Sequence, residues 1–203
     1  MAQVKKHEIR QAILDSAFRL FSDKGYQNTT LAHIAADAGV STANVYVYFS
    51  SKMEVLFAIY DPWLRKRIAE LEMAATRHSI PRKRLGLLLR TLWQDLPSEH
   101  NGFAHNLIQA ITSSTSADGY RPTLLLWMEG RIASLISDSL PEARRRIVPP
   151  RHLAHMLMMA FDGFVINHHL NPKAACTDSM IAAMLNQMLG SPDRRRKSGP
   201  RPR

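Results

Sequence analysis

The sequence predicts an all-α protein in which a small N-terminal helical domain precedes a larger helical one. Apolar residues recur at helical spacing along almost every segment, and no alternating strand pattern interrupts them. Pairs containing glycine or proline separate these segments. We expect the domains to cover residues 1–50 and 51–190, with a basic, disordered tail over 191–203.

The first two helices are delimited by apolar spacing and by glycine. Apolar residues four positions apart over Ile9–Phe21 predict a first helix, which ends at Gly25. Thr29 or Thr30 opens a second, short helix that ends at Gly39. These boundaries predict a compact N-terminal unit of short helices.

The third and fourth helices begin with capping signals. Ser41 is the N-cap of the third helix, with Val40 and Val45 at the spacing of a hydrophobic staple. The run Ser51–Glu54 has the pattern of a capping box and opens the fourth helix. This helix should join the two domains. Pro62 should kink or interrupt it, or begin a fresh helix, because proline removes a backbone donor and clashes with the preceding turn.

The remaining helices are placed by apolar period and turn signals. The predicted ranges are 82–96, 102–115, 122–139, 150–170 and 177–189. The stretch 156–166 is apolar nearly all round, which predicts burial on more than one side. One face of the last two helices therefore packs on its own domain, and another face is available to a partner.

Composition narrows the function classes. The apolar fraction is 45%, as in globular proteins, and Cys176 is the single cysteine. One thiol builds neither a disulfide framework nor a cysteine-based zinc site. No signal segment or membrane span is expected, so we predict a cytoplasmic protein. Nucleophile-elbow, zinc-protease and phosphate-loop motifs are missing, which predicts no enzyme, metal or cofactor.

Positive charge is concentrated at the C-terminus. Of 27 lysines and arginines, six fall in the last eleven residues, and the formal net charge is +10. Such a tail suits a polyanion such as nucleic acid, and it equally suits a solvated terminus without a partner. Charge alone therefore does not assign a function.

The stretch Thr29–Lys52 has the pattern of a helix-turn-helix. Ala35 is small where two helices cross, and Gly39 suits a turn with positive φ. The second helix must then point its N-terminal face into a DNA major groove. The residues of this face, which suit base edges, are Thr42, Ala43, Asn44 and Val47. The surrounding residues, which suit phosphates, are Thr30, Ser41, Tyr46, Tyr48 and Lys52.

This stretch resembles the TetR (tetracycline-repressor) family of bacterial transcription regulators. The resemblance rests on Gly25, Thr29, Thr30, Ile34, Ala35, Ala38, Gly39, Val40, Ser41, Tyr46, Tyr48, Phe49, Ser51, Lys52 and Leu56. It implies three N-terminal DNA-binding helices followed by a helical domain that binds a ligand and dimerises. It also implies the backbone and base contacts just named. A three-helix bundle that binds nothing is the competing interpretation.

Two further sites are predicted in the larger domain. Aromatic and polar residues that could line a ligand pocket are Trp93, Phe103, His105, Asn106, Gln109 and Trp127. Each of them could equally be ordinary core or surface. By resemblance to the family, the last two helices form a dimer interface through Met159, Gly163, Ile166, Ile181, Met184 and Met188.

We therefore expect a homodimeric repressor that a small-molecule effector releases from a palindromic double-stranded DNA operator. Two alternatives stay open within this fold: an activator or a ligand-insensitive DNA binder, and a protein-interaction subunit that has lost DNA binding. A membrane partner is not expected.

Overall fold

The structure, a computed structural model, describes residues 2–99, 102–113, 123–171, 173 and 175–190, with the backbone alone at 2–4 and 169. Every regular element in these ranges is a helix, and they contain no strand. The all-α prediction is confirmed. The tail predicted over 191–203 lies outside the described residues, as do residues 114–115 and 122 of two predicted helices.

The helices follow one another with short connections. Their bounds are α1 Ala2–Lys24, α2 Leu31–Asp37, α3 Thr42–Tyr48, α4 Lys52–Thr76, α5 Pro81–Arg90, a π-helical segment Thr91–Asp95, α6 Leu96–Ser98, α7 Phe103–Ser113, α8 Thr123–Ser139, α9 Glu142–Ile147, α10 Pro150–Leu170 and α11 Asp178–Leu189. We call α1–α3 the N-terminal unit and α4–α11 the C-terminal unit.

The N-terminal unit is held by a small apolar centre. Ile34 of α2 and Val45 of α3 are completely buried, and Phe21 of α1 is almost so. Gly25 and Gly39 both adopt positive φ, 76° and 68°, where a side chain would be strained. Glycine therefore ends α1 and α2 where the sequence predicted.

Side-chain caps start α2, α3 and α4. The Ser41 hydroxyl accepts from the Asn44 N–H at 3.1 Å, as predicted. The Ser51 hydroxyl accepts from the Glu54 N–H at 3.1 Å. A capping box also requires the Glu54 carboxylate to accept from the Ser51 N–H, and this part of the prediction is wrong. The carboxylate accepts instead from the N–H and hydroxyl of Ser50. Glu54 thereby fixes the approach to α4 one residue earlier than predicted.

Helix α4 runs without interruption from Lys52 to Thr76, with Pro62 inside it. The predicted fresh start at this proline is wrong. Asp61 is not an N-cap: its carboxylate accepts from the Arg65 guanidinium one turn later, at 2.8 Å. Apolar burial on both sides of the proline explains the continuity, since Tyr60 and Leu64 both lie in the core.

The helix predicted over 82–96 continues to Ser98 through a π-helical segment. The Leu96 N–H donates to the Thr91 carbonyl, five residues earlier. This wider turn lies immediately before Pro97, whose ring would clash with the preceding turn of a regular α-helix. The extra residue accommodates the proline within a continuous helical rod.

Helix α9 was not predicted from the sequence. None of its residues is buried, so it has no apolar period to detect. Its arginines contact the ends of other helices: Arg144 donates to the carbonyls of Gln187 and Met188, and Arg145 donates to that of Ser137. They provide donors that the last turns of α8 and α11 otherwise lack.

One continuous apolar core joins both units. It extends from Ile13 in α1 through α4 and α5 to Met188 in α11. Helix α4 packs against α1 on one side and against α5, α7 and α8 on the other. Among the described residues, no helix combines the length and apolarity needed to cross a membrane.

Candidate functional site

The outer surface of α3 carries most of the predicted base-facing residues. Val45 is buried against α2, which fixes the rotation of the helix. Ala43, Asn44 and Val47 are then exposed, Val47 to 68% of its surface, and Thr42 is half-buried. Small or polar side chains thus lie on the exposed surface of α3.

Hydroxyl groups surround this surface. Thr30 and Ser41 are the N-caps of α2 and α3, and each oxygen accepts from a backbone N–H three residues later at 3.1 Å. Each hydroxyl keeps its hydrogen for another acceptor. Tyr46 is 58% exposed and Tyr48 is half-buried. Four of the five residues predicted to contact phosphates therefore lie at the start of α2, at the start of α3 or on α3. Each of them has a hydroxyl hydrogen that it can donate.

The fifth group, Lys52, is engaged inside the protein. Its ammonium donates to the carbonyls of Tyr26 and Thr29, both at 2.8 Å, and lies 4.1 Å from the centre of the Tyr26 ring. Burial lowers its pKa. Two of its three N–H donors therefore hold the α1–α2 loop to the start of α4. The predicted contact with a DNA phosphate stays a prediction, and it depends on the third N–H.

A second link, which sequence reasoning missed, lies within the N-terminal unit. Arg19 of α1 forms an ion pair with Asp37 of α2 at 2.7 Å. The hydrogen bond from this guanidinium holds the pKa of the Asp37 carboxyl below its usual value. Eighteen residues separate the partners, so no local pattern could reveal the pair.

An aromatic cluster gathers two of the predicted ligand residues. Phe103 lies 5.0 Å, between ring centres, from both Tyr60 and Trp63 of α4. The Asn106 amide nitrogen donates to the Tyr60 hydroxyl at 3.3 Å. The Asn106 carbonyl oxygen is buried and finds no hydrogen-bond partner among the described residues. Burial raises the Tyr60 pKa, and the bond from Asn106 opposes that rise.

Tyr60 and Trp63 were missed from the sequence. Their three-residue spacing puts both on one helix face, which is the signal that could have found them. Both also line a cleft of about 1360 Å³ that extends between α1, α3, α4 and the beginning of α8. Two of the three rings of the aromatic cluster therefore border this cleft.

The other predicted ligand residues lie elsewhere, which corrects the six-residue pocket. Trp93 is buried in the core, and Trp127 is half-buried beneath the Arg65 guanidinium, 4.3 Å from its ring centre. His105 and Gln109 contact each other, and Gln109 accepts from the Gln27 N–H of the N-terminal unit. Helical geometry separates these residues because positions 103 and 106 face α4, whereas 105 and 109 face another direction.

Some of the residues predicted to form the dimer interface are exposed, and others are buried. Met159, Gly163 and Ile166 are exposed along α10, Met159 to 62% of its surface. Ile181 of α11 is buried in the chain's own core, so its assignment to a partner-facing surface is wrong, whereas Met188 is buried but also lines the apolar groove beside Met184. The reason is that α11 packs this side against α5.

Met184 of α11 is half-buried beside an apolar groove of about 360 Å³ that also includes Met156 of α10. Leu170, at the end of α10, is 78% exposed. The exposed apolar surface thus follows α10 from Met156 to Leu170, with Met184 at its border.

The described residues contain no group of three or more His, Cys, Asp or Glu side chains placed to hold a metal ion. His155 contacts the Glu129 carboxylate at 3.0 Å. Cys176 is buried, and burial, with the Asp178 charge, raises the pKa of its thiol. It has the environment of a packing residue.

The chain resembles known bacterial regulatory proteins in sequence. The family described as "Bacterial regulatory proteins, tetR family" matches residues 13–59. The HTH-type transcriptional regulator BetI of Agrobacterium fabrum is 30% identical over 164 residues, which cover 79% of this chain and 77% of that protein. This chain belongs to the tetR family of bacterial regulatory proteins. It is a helix-turn-helix transcriptional regulator that binds DNA.

Solved structures support the same fold for this tetR-family protein. FadR from Bacillus subtilis, in complex with stearoyl-CoA, superimposes with a TM-score of 0.63 at 18% identity, over 90% of this chain and 98% of that one. A transcriptional regulator from Saccharomonospora viridis, in complex with choline, gives 0.54 at 21% identity, over 89% and 95%. Both matches cover the N-terminal and C-terminal units together.

Proposed function

We propose that this tetR-family protein is a homodimeric repressor that a small-molecule effector releases from a palindromic operator. The observation that carries the DNA-binding half is α3, in which Val45 is buried while Ala43, Asn44 and Val47 are exposed on the outer surface. Residues 1–50 form the DNA-binding domain in this proposal, and residues 51–190 form the regulatory domain.

In this proposal, one class of residues contacts the DNA bases and a second class contacts the DNA backbone. Thr42, Ala43, Asn44 and Val47 face base edges in the major groove. The groups that contact the DNA backbone are Thr30, Ser41, Tyr46 and Tyr48, together with the remaining N–H of Lys52. The first class sets the sequence preference, and the second contributes affinity for any duplex.

The dimer uses the exposed apolar surface of α10. Met156, Met159, Ile166 and Leu170 lie at intervals of three or four residues, with Gly163 between them. Apolar side chains in a continuous exposed stripe favour burial against another protein surface. A second copy offers the same stripe, so a two-fold pairing buries both. The two recognition helices then meet half-sites about 34–36 Å apart or somewhat more.

The effector site centres on the cluster of Tyr60, Trp63 and Phe103. Aromatic walls with a few polar groups are typical of small-molecule sites, and the buried Asn106 carbonyl lacks a donor that a ligand could supply. Two structural neighbours hold small molecules, stearoyl-CoA and choline. A ligand that favours a wider separation of the recognition helices would weaken binding to a fixed operator.

Selection of bound duplexes from a random pool tests the DNA-binding half. We expect the wild-type protein to enrich one palindrome. Asn44→Ala should enrich a different sequence, because a base-facing amide is lost. Tyr48→Phe should keep the palindrome and weaken all duplexes alike, because a phosphate donor is lost.

The same complexes test release. Choline and a long-chain acyl-CoA serve as probes, and a loss of operator affinity with either supports an effector-controlled repressor. Enrichment of no sequence would contradict the DNA-binding proposal and favour the protein-interaction subunit. A reporter that rises when the protein is added would identify an activator.

A further inference from the structure

We propose that Gln109 is a positioning residue that fixes the orientation of the helix-turn-helix relative to the C-terminal unit. Its side chain leaves α7 and hydrogen-bonds the backbone of the α1–α2 loop, residues 25–30. The effect of this role on DNA binding rests on the proposed function, in which a dimer binds the operator. The contact itself, which we call the clamp, is the hydrogen bond between the Gln27 N–H and the Gln109 side chain within one chain.

The contact between Gln109 and the loop is close and directional. The Gln27 N–H donates to the Gln109 side-chain oxygen at 3.0 Å. A Cβ atom added at Gly25 would lie 2.9 Å from that same oxygen. Gly25 therefore has two reasons to be glycine: its φ of +76° and the approach of this amide. The Gln109 side chain therefore lies against the loop at both Gly25 and Gln27.

The clamped loop is also tied to the helices around it. The Thr29 hydroxyl donates to the Gly25 carbonyl at 2.9 Å and lies 3.2 Å from that of Leu20 in α1. Lys52, at the start of α4, donates to the carbonyls of Tyr26 and Thr29. Because α2 begins directly after this loop, a displacement of the loop displaces the helix-turn-helix.

The other end of the clamp lies on the helix that carries the aromatic cluster. Phe103 and Asn106 precede Gln109 on α7 by six and three residues, which is about 1.7 and 0.8 turns of helix. A helix of eleven residues moves as one body over such distances. A group that displaces Phe103 or Asn106 therefore moves Gln109 and the Gln27 N–H with it. The sequence predicted that Gln109 contacts a ligand. In this proposal the ligand instead displaces Phe103 or Asn106, and Gln109 moves with them.

Hydrogen exchange tests the clamp without DNA or effector. Gln109→Ala should speed exchange of the Gln27 amide about tenfold, since its acceptor is lost. Gln109→Glu keeps an acceptor oxygen and should stay within about threefold of the wild-type rate. Gln94→Ala is the matched control, because Gln94 bonds the Cys176 carbonyl inside the C-terminal unit at 2.9 Å. Unchanged Gln27 exchange in Gln109→Ala would overturn the proposal.

Operator spacing tests the positioning role, which a merely local contact would not affect. Inserting one base pair at the centre of the selected palindrome should cost the wild-type protein about tenfold or more in affinity. Gln109→Ala should lose about threefold or less, because its helix-turn-helix can reorient. Gln109→Glu and Gln94→Ala should behave like the wild type.

The two measurements separate the possible failures. An unchanged spacing penalty in Gln109→Ala, together with faster Gln27 exchange, would overturn the positioning role. If the wild-type protein selects no palindrome, the proposed function fails, and Gln27 exchange alone decides whether the clamp exists.

Discussion

Asp162 is an ionisable residue within an apolar helix segment. It lies in the apolar run of α10, half-buried, and burial raises the pKa of its carboxyl above the usual value. The folded state therefore holds this proton to a higher pH than the unfolded chain does. Between the two pKa values the folded state binds more protons, so this residue's contribution to the free energy of unfolding falls as pH rises.

Asp162→Asn should remove that dependence. We expect the variant to be more stable than the wild type near neutral pH, where the wild-type carboxylate is charged and partly desolvated. The difference should shrink as pH falls toward the unfolded pKa. Denaturant melts at several pH values between 4 and 7.5 measure it. A stability gap that stays constant over this range would contradict the assignment.

Residue roles could be predicted where they depend on local sequence. Ser41 and Val45 set the start and the rotation of α3, and both signals lie within five residues of each other. The internal hydrogen bonds of Lys52 and Gln109 were not predicted, because their partners lie 23 to 26 and 82 residues away in the chain. Tertiary contacts of this kind leave no spacing pattern.

At the scale of elements, the predicted interruption or fresh helix start at Pro62 is wrong, whereas the predicted kink stays a prediction. An isolated helix breaks at an internal proline, but α4 is held on both sides of it by buried residues. Apolar periodicity placed the long helices near their observed bounds. It could not reveal α9, which buries nothing, or the π-helical segment, which depends on how a rod accommodates Pro97.

Pro62→Ala should restore the missing backbone donor to the Ala58 carbonyl. We expect a gain of about 1–3 kcal/mol in the free energy of unfolding, because the proline ring and the lost hydrogen bond both act against the helix. Thermal and denaturant unfolding measure the gain. Pro81→Ala is the control: that proline occupies the first turn of α5, where it is tolerated, so little or no gain is expected.

Pro62 lies in α4, which packs against α1 of the N-terminal unit and against α5, α7 and α8, so we expect it to affect the response to an effector. With the hydrogen bond to the Ala58 carbonyl restored, α4 should resist bending more, and this should change how strongly an effector releases DNA. Equal release by the wild type and by Pro62→Ala would remove the proline from the regulatory mechanism.

At the scale of the whole molecule, a substitution at Gly163 should affect dimer formation without affecting the folding of the single chain. A Cβ added there meets no atom within 4 Å in the single chain. Gly163→Leu should therefore fold normally, while its side chain projects from the middle of the α10 stripe and blocks a second copy. We expect sedimentation to show monomers, with operator affinity reduced at least tenfold because one half-site is lost.

Gly130 of α8 offers the matched control. A Cβ at that position also meets nothing within 4 Å, and the residue lies outside the α10 stripe. Gly130→Leu should sediment like the wild type. A wild-type sedimentation coefficient for Gly163→Leu would place the interface elsewhere.

The arginines of α9 change how the net charge of +10 should be understood. Arg144 and Arg145 donate to carbonyls in the last turns of α11 and α8. A helix macrodipole ends in roughly half a negative elementary charge at that terminus. Part of the guanidinium charge is therefore offset locally, and the electric field that it sends into solvent is weaker than a formal count implies. Long-range attraction of a nucleic acid must then depend more on lysines and arginines that have no such counter-dipole.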